Sequence, residues 1–375
     1  MRVLLVSNYE LDAQQSMLRY ADFLRRGLEE YGHNIEVMHP PALAGRLVSR
    51  AHPLSKWMGY IDKFLLFPFR LRRRAVNFDL VHVCDHSNSP YLQWTAGVPS
   101  VITVHDMLAV RSALGHFPQN PTGRTGRWLQ RWILKNLPTA TRIISVSWKT
   151  KMDLEALLTS TPEIVVIHHS LNWDYAPISQ AEVDAVRETC GLAPSDEYLL
   201  HVGGRQWYKN RIGVLKIALQ LRKHPRFRGA KMVMAGKPWT AEMRSFCNEQ
   251  SFSDAIEFVD PSNEQLRALY SGALAFLFPS LEEGFGWPIL EAQACGCPVI
   301  TSNRPPMTEV AGQGAIFVNP EDAIAAAQTI AEEFGAAASL KDAGRKNLHG
   351  FRMSDVIHRY HEAYISTIAD AAQQH

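Results

Sequence analysis

The stretch FPSLEEGFGWPILEAQACGCPVITSN, residues 278–303, holds a complete strand–helix–strand unit. An apolar run closes at Phe278 and is followed by a turn bracketed by Gly284 and Gly286. Pro288 stands in the first residues of a helix, where a missing N–H costs nothing, and Gly296 marks the helix end before the apolar run PVIT (298–301). A strand that returns to a second buried strand through a helix is the building unit of a parallel sheet. The glycines at the helix start let the backbone come close to a ligand and leave N–H groups free, which suits an anionic or hydroxyl-rich molecule. Glu283 stands just before the turn. Glu291, eight residues on, falls in the first turns of the helix, where its carboxylate can accept hydrogen bonds from vicinal hydroxyls. A structural reading of the two acids, as charges that favour the helix dipole, stands beside the functional one.

Outward from this unit the same alternation recurs along the chain. Strands are expected at 2–7, 34–38, 80–84, 100–104, 142–146 and 164–168, and a second series at 198–204, 231–236, 256–260, 274–279, 298–301 and 315–318. The pattern restarts, so two α/β domains are expected: residues 1–172, and residues 173–354, with the last helix, 355–375, packing back on the first. Length agrees, since 375 residues exceed one comfortable core. Apolar residues at 46% and charged residues at 20% exclude a disordered chain. No apolar run reaches the length of a membrane span, and MRVLLVSNYE reads as a first strand, from which a cytoplasmic protein is expected. The five cysteines are scattered without metal-ligand spacing and read as reduced core residues.

In doubly wound sheets ligands bind outside the carboxyl ends of the strands. HVGGRQWYKN (201–210) follows the first strand of the second series. Gly203 and Gly204 admit a ligand to the backbone, and Arg205 and Lys209 add two charges suited to a diphosphate. A solvated basic turn is the alternative. In the first series, TVHD brings His105 and Asp106 to a strand end, SVS brings Ser145 and Ser147, and His86 follows LVHVCD.

These motifs resemble the retaining glycosyltransferases of family 4, which have the GT-B fold: two doubly wound Rossmann-like domains with an interdomain cleft. The resemblance lies in E-G-F-G-x-P-x-x-E-A-x-A-C-G-x-P-V at Glu283–Val299, G-R-x3-K-N at Gly204–Asn210 and T-E-V-A-G at Thr308–Gly312. It implies transfer of a hexosyl unit from a nucleotide-diphosphate sugar, with UDP-hexose favoured over GDP-mannose, to a glycan or lipid-linked acceptor in bacterial polysaccharide or glycolipid assembly. Glu291 would bind ribose hydroxyls, Glu283 and the backbone of Gly284, Phe285 and Gly286 the transferred sugar, and Arg205 and Lys209 the diphosphate. Ala235–Lys237 and Val259–Asp260 would flank the base. His105 would lie near the anomeric carbon, with Asp106 and Ser145 on the acceptor side. Where the family has a glycine-rich turn after the first strand, this chain has Asn8–Met17, in which Gln14, Gln15 and Ser16 supply polar groups instead.

No Asp-x-Asp pair occurs, so no metal or other cofactor is expected, and Lys and Arg take over the leaving diphosphate. The absence of G-x-G-x-x-G after any strand sets aside a dinucleotide oxidoreductase. A nucleotide-sugar epimerase, a phosphorylase or a non-catalytic sugar- or membrane-binding protein remains open on this architecture. Charge is uneven: residues 1–175 carry 20 Lys/Arg against 14 Asp/Glu. Within Ala44–Ala75, Arg46, Arg50, Lys56, Lys63, Arg70, Arg72, Arg73 and Arg74 face the single acid Asp62 and are interleaved with Trp57, Tyr60, Phe64, Phe67 and Phe69. That mixture suits the headgroup region of an anionic membrane, which would place the chain on the inner membrane face. It suits equally a helix whose aromatic side packs on its own sheet. Without a surrounding nucleic-acid module, nucleic acid is not the expected partner.

Overall fold

The computed structural model describes residues 1–12, 14–49, 52, 54–95 and 97–373, without the side chain of Gln15. The chain divides into two compact units, one formed by Met1–Asn172 with Met353–His375 and the other by Trp173–Arg352.

The first unit holds β1 (Arg2–Val6), β2 (Asn34–Met38), β3 (Leu80–Val83), β4 (Ser100–Val104), β5 (Arg142–Ser145) and β6 (Glu163–Val166) in one parallel sheet ordered β2-β1-β3-β4-β5-β6. Its central strands are apolar on both faces, as sheets covered on both sides require. Leu4, Val6, Val81, Val83, Ile102, Val104 and Ile143 enter a core with Phe67, Leu71, Tyr91 and Leu154. Val3, Leu5, Leu80, Val101 and Ile144 enter the opposite core, with Tyr20, Leu24 and Leu28 from helix Gln15–Glu30 and Ile357, Tyr360 and Tyr364 from helix Met353–Gln373. The last helix is further tied by Arg142, which donates to the Ala363 carbonyl at 3.1 Å and to Asp370 at 2.6 Å.

The second unit repeats the plan. Here β7 (Tyr198–Gly203), β8 (Lys231–Gly236), β9 (Ala255–Val259), β10 (Ala275–Phe278), β11 (Val299–Ser302) and β12 (Ala315–Val318) form a parallel sheet ordered β12-β11-β10-β7-β8-β9. All twelve strands lie where the apolar runs put them.

Strand order decides where ligands can enter. In the first sheet the chain goes from β1 outward to β2, then crosses to β3 on the other side of β1; in the second it goes from β7 through β8 to β9, then crosses to β10 on the other side of β7. Each reversal leaves adjacent strands whose following loops diverge to opposite faces and open a crevice at the carboxyl ends. The crevices lie beyond β1 and β3 in one unit and beyond β7 and β10 in the other.

Candidate active site

In the C-terminal unit the β7/β10 switch point gathers the two quoted motifs. The segment after β7 carries Lys209, and the segment after β10 carries Glu283; Lys209 Nζ donates to Glu283 Oε1 at 2.7 Å. Their side chains are 15% and 8% exposed, so this is a largely desolvated ion pair, and the ammonium also lies 5.0 Å from the centre of the Phe278 ring. Helix Trp287–Ala294 begins beside it, capped by Gly286 at φ +109° and ψ +47°. An L side chain rarely adopts that conformation, so glycine there sets the angle at which the helix N-terminus meets the site. Gly284 and Phe285 are buried with Glu283. Pro288 is the second helical residue rather than the first, one position later than its preferred N1 place, because Trp287 already has helical geometry.

Glu291 is the fifth residue of that helix and is buried, accepting a hydrogen bond from the Tyr270 hydroxyl at 3.0 Å. Burial, and then the adjacent Glu291, hold the Tyr270 phenol well above the usual range, so it stays protonated and donating. Arg205 is exposed, and its Nε donates to the Pro238 carbonyl at 3.3 Å, which lays the guanidinium along the β7–β8 edge. Gly203 and Gly236 end paired strands. A Cβ at Gly236 would meet the Gly203 carbonyl oxygen at 2.3 Å, so the backbones approach closely only because residue 236 is glycine. Gly204 is half-buried, Val259 ends β9 half exposed, and Lys237 pairs with Asp260 at 2.7 Å beyond it.

In the N-terminal unit the β1/β3 switch point joins Asn8 and Asp85. Asn8 Nδ2 donates to Asp85 Oδ2 at 2.6 Å, and the Ser87 amide donates to Asp85 Oδ1 at 2.8 Å. Burial works to raise the Asp85 carboxyl, but His86, His105 and these donors outweigh it and hold it below the usual range. His105, just past β4, is buried edge-on to Tyr20 at 4.8 Å. Its Nε2 is 2.8 Å from the Cys84 carbonyl and its Nδ1 is 3.2 Å from His169 Nε2. A carbonyl can only accept, so Nε2 of His105 carries the proton; Nδ1 of the neutral ring therefore accepts from His169 Nε2–H. Burial depresses His105, with Asp85 opposing, and burial, then His105 and His168, keeps His169 well below the usual range. Both nitrogens of His105 are thus occupied in a neutral pair. Behind them, His82 is bonded to Tyr364 at 2.6 Å and to Thr103 at 2.8 Å, while Tyr20 bonds Thr103 at 2.9 Å and Tyr360 at 2.6 Å.

The acceptor-side candidates separate. Gln14 is exposed overall; it accepts from Asn8 Nδ2 and lines a cavity of about 510 Å³ with Asn8, Tyr60, Lys63 and Asn88. Ser16 is exposed on helix Gln15–Glu30, and the Gln15 side chain lies outside the described residues. Asp106 turns back to accept from the Leu108 amide at 2.8 Å. Ser145 is fully buried at the end of β5, so it lines no surface, and Ser147 caps helix Trp148–Leu157 by accepting from the Thr150 amide at 3.0 Å. Asp85 and His169 went unnoticed in the sequence, where Asn8 enters only as the first residue of the loop after β1. Each stands within three residues of a strand end, but only the strand order shows which ends adjoin.

The comparisons with known proteins divide the chain in the same way. Residues 17–174 match the family model described as Glycosyltransferase Family 4, and residues 183–343 the one described as Glycosyl transferases group 1. O-antigen chain mannosyltransferase B of Escherichia coli is 28% identical over 226 residues, 60% of this chain and 58% of that protein. O-antigen chain mannosyltransferase RfbU of Salmonella typhimurium is 46% identical over 70 residues, 18% of this chain and 20% of that one, so the matches span less than two thirds of both relatives. D-inositol 3-phosphate glycosyltransferase of Mycolicibacterium smegmatis is 26% identical over 321 residues, 80% of this chain and 69% of that protein. In fold, sucrose-phosphate synthase from Thermosynechococcus elongatus superposes with a TM-score of 0.73 at 18% identity, covering 99% of this chain and all of the other. Anabaena HepE in complex with UDP and glucose gives 0.72 at 14% identity, covering 98% of this chain and 100% of that one. One family model falls on each parallel sheet, and the whole fold is shared with these structures. Two glycosyltransferase family models thus match the chain, one on each unit, and with the fold shared by these structures they support a GT-B glycosyltransferase resembling family 4.

Proposed function

We propose that the chain transfers a hexosyl unit from a nucleotide-diphosphate sugar to an acceptor hydroxyl, with retention of anomeric configuration and without a metal ion, in bacterial polysaccharide or glycolipid assembly. The observation that carries this reading is the buried Lys209–Glu283 pair at the β7/β10 switch point, set against the N-terminus of helix Trp287–Ala294. A diphosphate fits there because Lys209, Arg205 and the helix N–H groups supply positive potential. Glu291, oriented by Tyr270, is assigned to the ribose hydroxyls, and Glu283 with the Gly284–Gly286 backbone to the sugar.

The bond from the anomeric carbon to the diphosphate oxygen breaks as the bond to the acceptor oxygen forms on the same face. The acceptor's proton passes to the departing phosphate oxygen. Both nitrogens of His105 are engaged, which favours that route over a side-chain base and assigns His105 to positioning through the neutral His105–His169 pair. The names of the mannosyltransferase relatives bring GDP-mannose to the front of the screen, beside the UDP-hexoses favoured by the motifs.

Hydrolysis of a panel of UDP-, GDP- and ADP-sugars in the presence of EDTA tests the reading. One donor turned over, with proton NMR showing the product in the donor's anomeric configuration, supports it. No turnover of any donor removes it, and loss of activity with EDTA restored by Mn²⁺ or Mg²⁺ removes its metal-free part.

A further inference from the structure

The run Ser55–Ala75 is one continuous helical segment: Ser55–Ile61, a wide π-helical turn at Asp62–Leu66, and Phe67–Ala75. One apolar stripe, Phe67, Leu71 and Ala75, is buried against β3 and Tyr91. A second, Trp57, Ile61, Leu65 and Phe69, recurs every four residues and is 58%, 36%, 56% and 57% exposed. A helix that only covered its own sheet would be polar on that outer side. The segment's aromatics therefore divide: Phe67 and Phe64 pack on the core, whereas Trp57 and Phe69 face outward.

The segment's own exposed charges have one sign, and Lys63, half-buried, is paired with Asp12 at 2.8 Å. Lys56, Arg70, Arg72 and Arg73 are exposed, and Arg74 pairs with Glu36. The segment's single acid, Asp62, is fully buried, accepting from the Tyr9 hydroxyl at 2.6 Å and the Ala44 and Gly45 amides at 2.8 and 2.9 Å. Arg50 lies outside the described residues. Helix Arg124–Asn136 extends the same surface. It contains Arg124, Arg127, Arg131 and Lys135, all exposed, with no acid, and Trp128 is 65% exposed. Trp132 joins the two elements, its ring 5.5 Å from Trp128 and 5.1 Å from Phe64.

Between them opens the 510 Å³ cavity, lined by Lys56, Tyr60, Lys63, Gln130 and Asn8 among others. Gln130 Oε1 is buried there without a hydrogen-bond partner among the described residues, which points to a donor that arrives with a ligand. On its inner side Asn8 leads through Asp85 toward His105.

Resting on the transfer reading above, we propose that this face seats the N-terminal unit on an anionic lipid surface and that the cavity receives the hydroxylated head of a lipid-anchored acceptor. Apolar side chains repeating with arginines match the depth profile of the headgroup region, apolar groups below and cations at the phosphates. Each exposed cation near such a surface strengthens binding about fivefold, so the surface holds the protein reversibly.

Sedimentation of the whole chain with vesicles decides it. The wild type is expected to pellet with phosphatidylcholine vesicles containing phosphatidylglycerol, to be released by salt, and to stay in the supernatant with phosphatidylcholine alone. Arg72→Glu with Arg73→Glu should weaken binding by about tenfold or more, and Trp57→Ser with Leu65→Ser by a similar factor that added salt does not mask. Unchanged thermal unfolding and unchanged donor hydrolysis in these variants keep folding and chemistry out of the comparison. In a membrane extract supplied with radiolabelled donor, label should enter the organic-soluble fraction. A wild type that stays in the supernatant at low salt, variants that pellet like wild type, label confined to water-soluble products, or retention only on a polyanionic nucleic-acid resin would each overturn the assignment. Docking that persists with no donor hydrolysed would refute the transfer reading and leave the lipid-facing surface standing.

Discussion

Lys209→Ala is expected to act on stability as well as on turnover, because the ammonium it removes is the partner of a buried carboxylate. Glu283 is 8% exposed and Lys209 15%, with 2.7 Å between their charged atoms. Removing one partner of a buried pair costs about 3–5 kcal/mol, and the partial exposure of Lys209 lowers the expectation to about 2–3 kcal/mol. Glu283→Gln should cost less, since the amide oxygen can still accept from Lys209 Nζ and the ammonium left without a counter-charge is the more exposed of the two partners. In the double variant Lys209→Ala with Glu283→Gln neither charge is stranded, so the loss should be smaller than the sum of the single losses by about 1.5 kcal/mol or more. Urea unfolding followed by hydrogen exchange of peptides within Trp173–Arg352 reads this unit apart from its neighbour, whose own transition would otherwise blur the result. All three variants should also lose turnover, by roughly 10²–10³ for Lys209→Ala if it stabilises the leaving diphosphate. Single losses that simply add, or a Lys209→Ala protein as stable as wild type, would show that the pair is solvated and that the argument from burial fails.

Arg205→Ala should separate the two effects: the side chain is exposed and holds only a 3.3 Å bond to a carbonyl, so stability should change by less than about 0.5 kcal/mol while turnover falls. Near-normal turnover would remove it from the site. Glu291→Ala should weaken binding of the free nucleotide by about 1.5–3 kcal/mol, and Tyr270→Phe by less, since it releases the carboxylate without removing it; calorimetric titration showing unchanged affinity in Glu291→Ala would sink the ribose assignment. Acid should unfold the first unit before the second. Burial brings His82 and His201 to about 3, and His105 and His169 are also depressed. A folded value below the unfolded 6.5 means that the unfolded chain binds the extra proton. Stability is therefore complete above about pH 6.5 and falls as pH drops toward 3, by up to about 1.4 kcal/mol per pH unit for each such histidine. His82, His105 and His169 share the first unit and His201 stands in the second, so hydrogen exchange between pH 6.5 and 5 should show the steeper loss in Met1–Asn172; equal slopes would contradict it.

The segment 44–75 shows best how far local pattern reaches. The sequence displayed the cations and aromatics of 44–75 and could not apportion them, because a π-helical turn at Asp62–Leu66 shifts the phase of the helix and gives it two apolar stripes. Asp62 reads as the segment's one counter-charge, yet the fold buries it under Tyr9, and the acids that meet the segment's cations come from elsewhere, Asp12 on Lys63 and Glu36 on Arg74. Helix Arg124–Asn136, which begins 49 residues beyond Ala75, meets that face where the Trp132 ring lies tilted against Phe64, 5.1 Å between centres.

The twelve strands and the glycine turn at Gly284–Gly286 were determined by the sequence alone, since apolar periodicity and backbone permissiveness are properties of neighbouring residues. The meeting of Lys209 with Glu283 was implied by motif but decided by strand order: β10 lies against β7 because the chain crosses back after β9, and nothing local to either segment dictates that crossing. The same holds for Asn8 with Asp85 and for His105 with His169, pairs separated by 77 and 64 positions. Burial fixed the rest. Whether a histidine is a neutral, doubly bonded support or a titrating base depends on the carbonyl and ring that flank it, and for His105 those come from Cys84 and His169 on other strands' ends, brought within 3.2 Å only when the sheet closes.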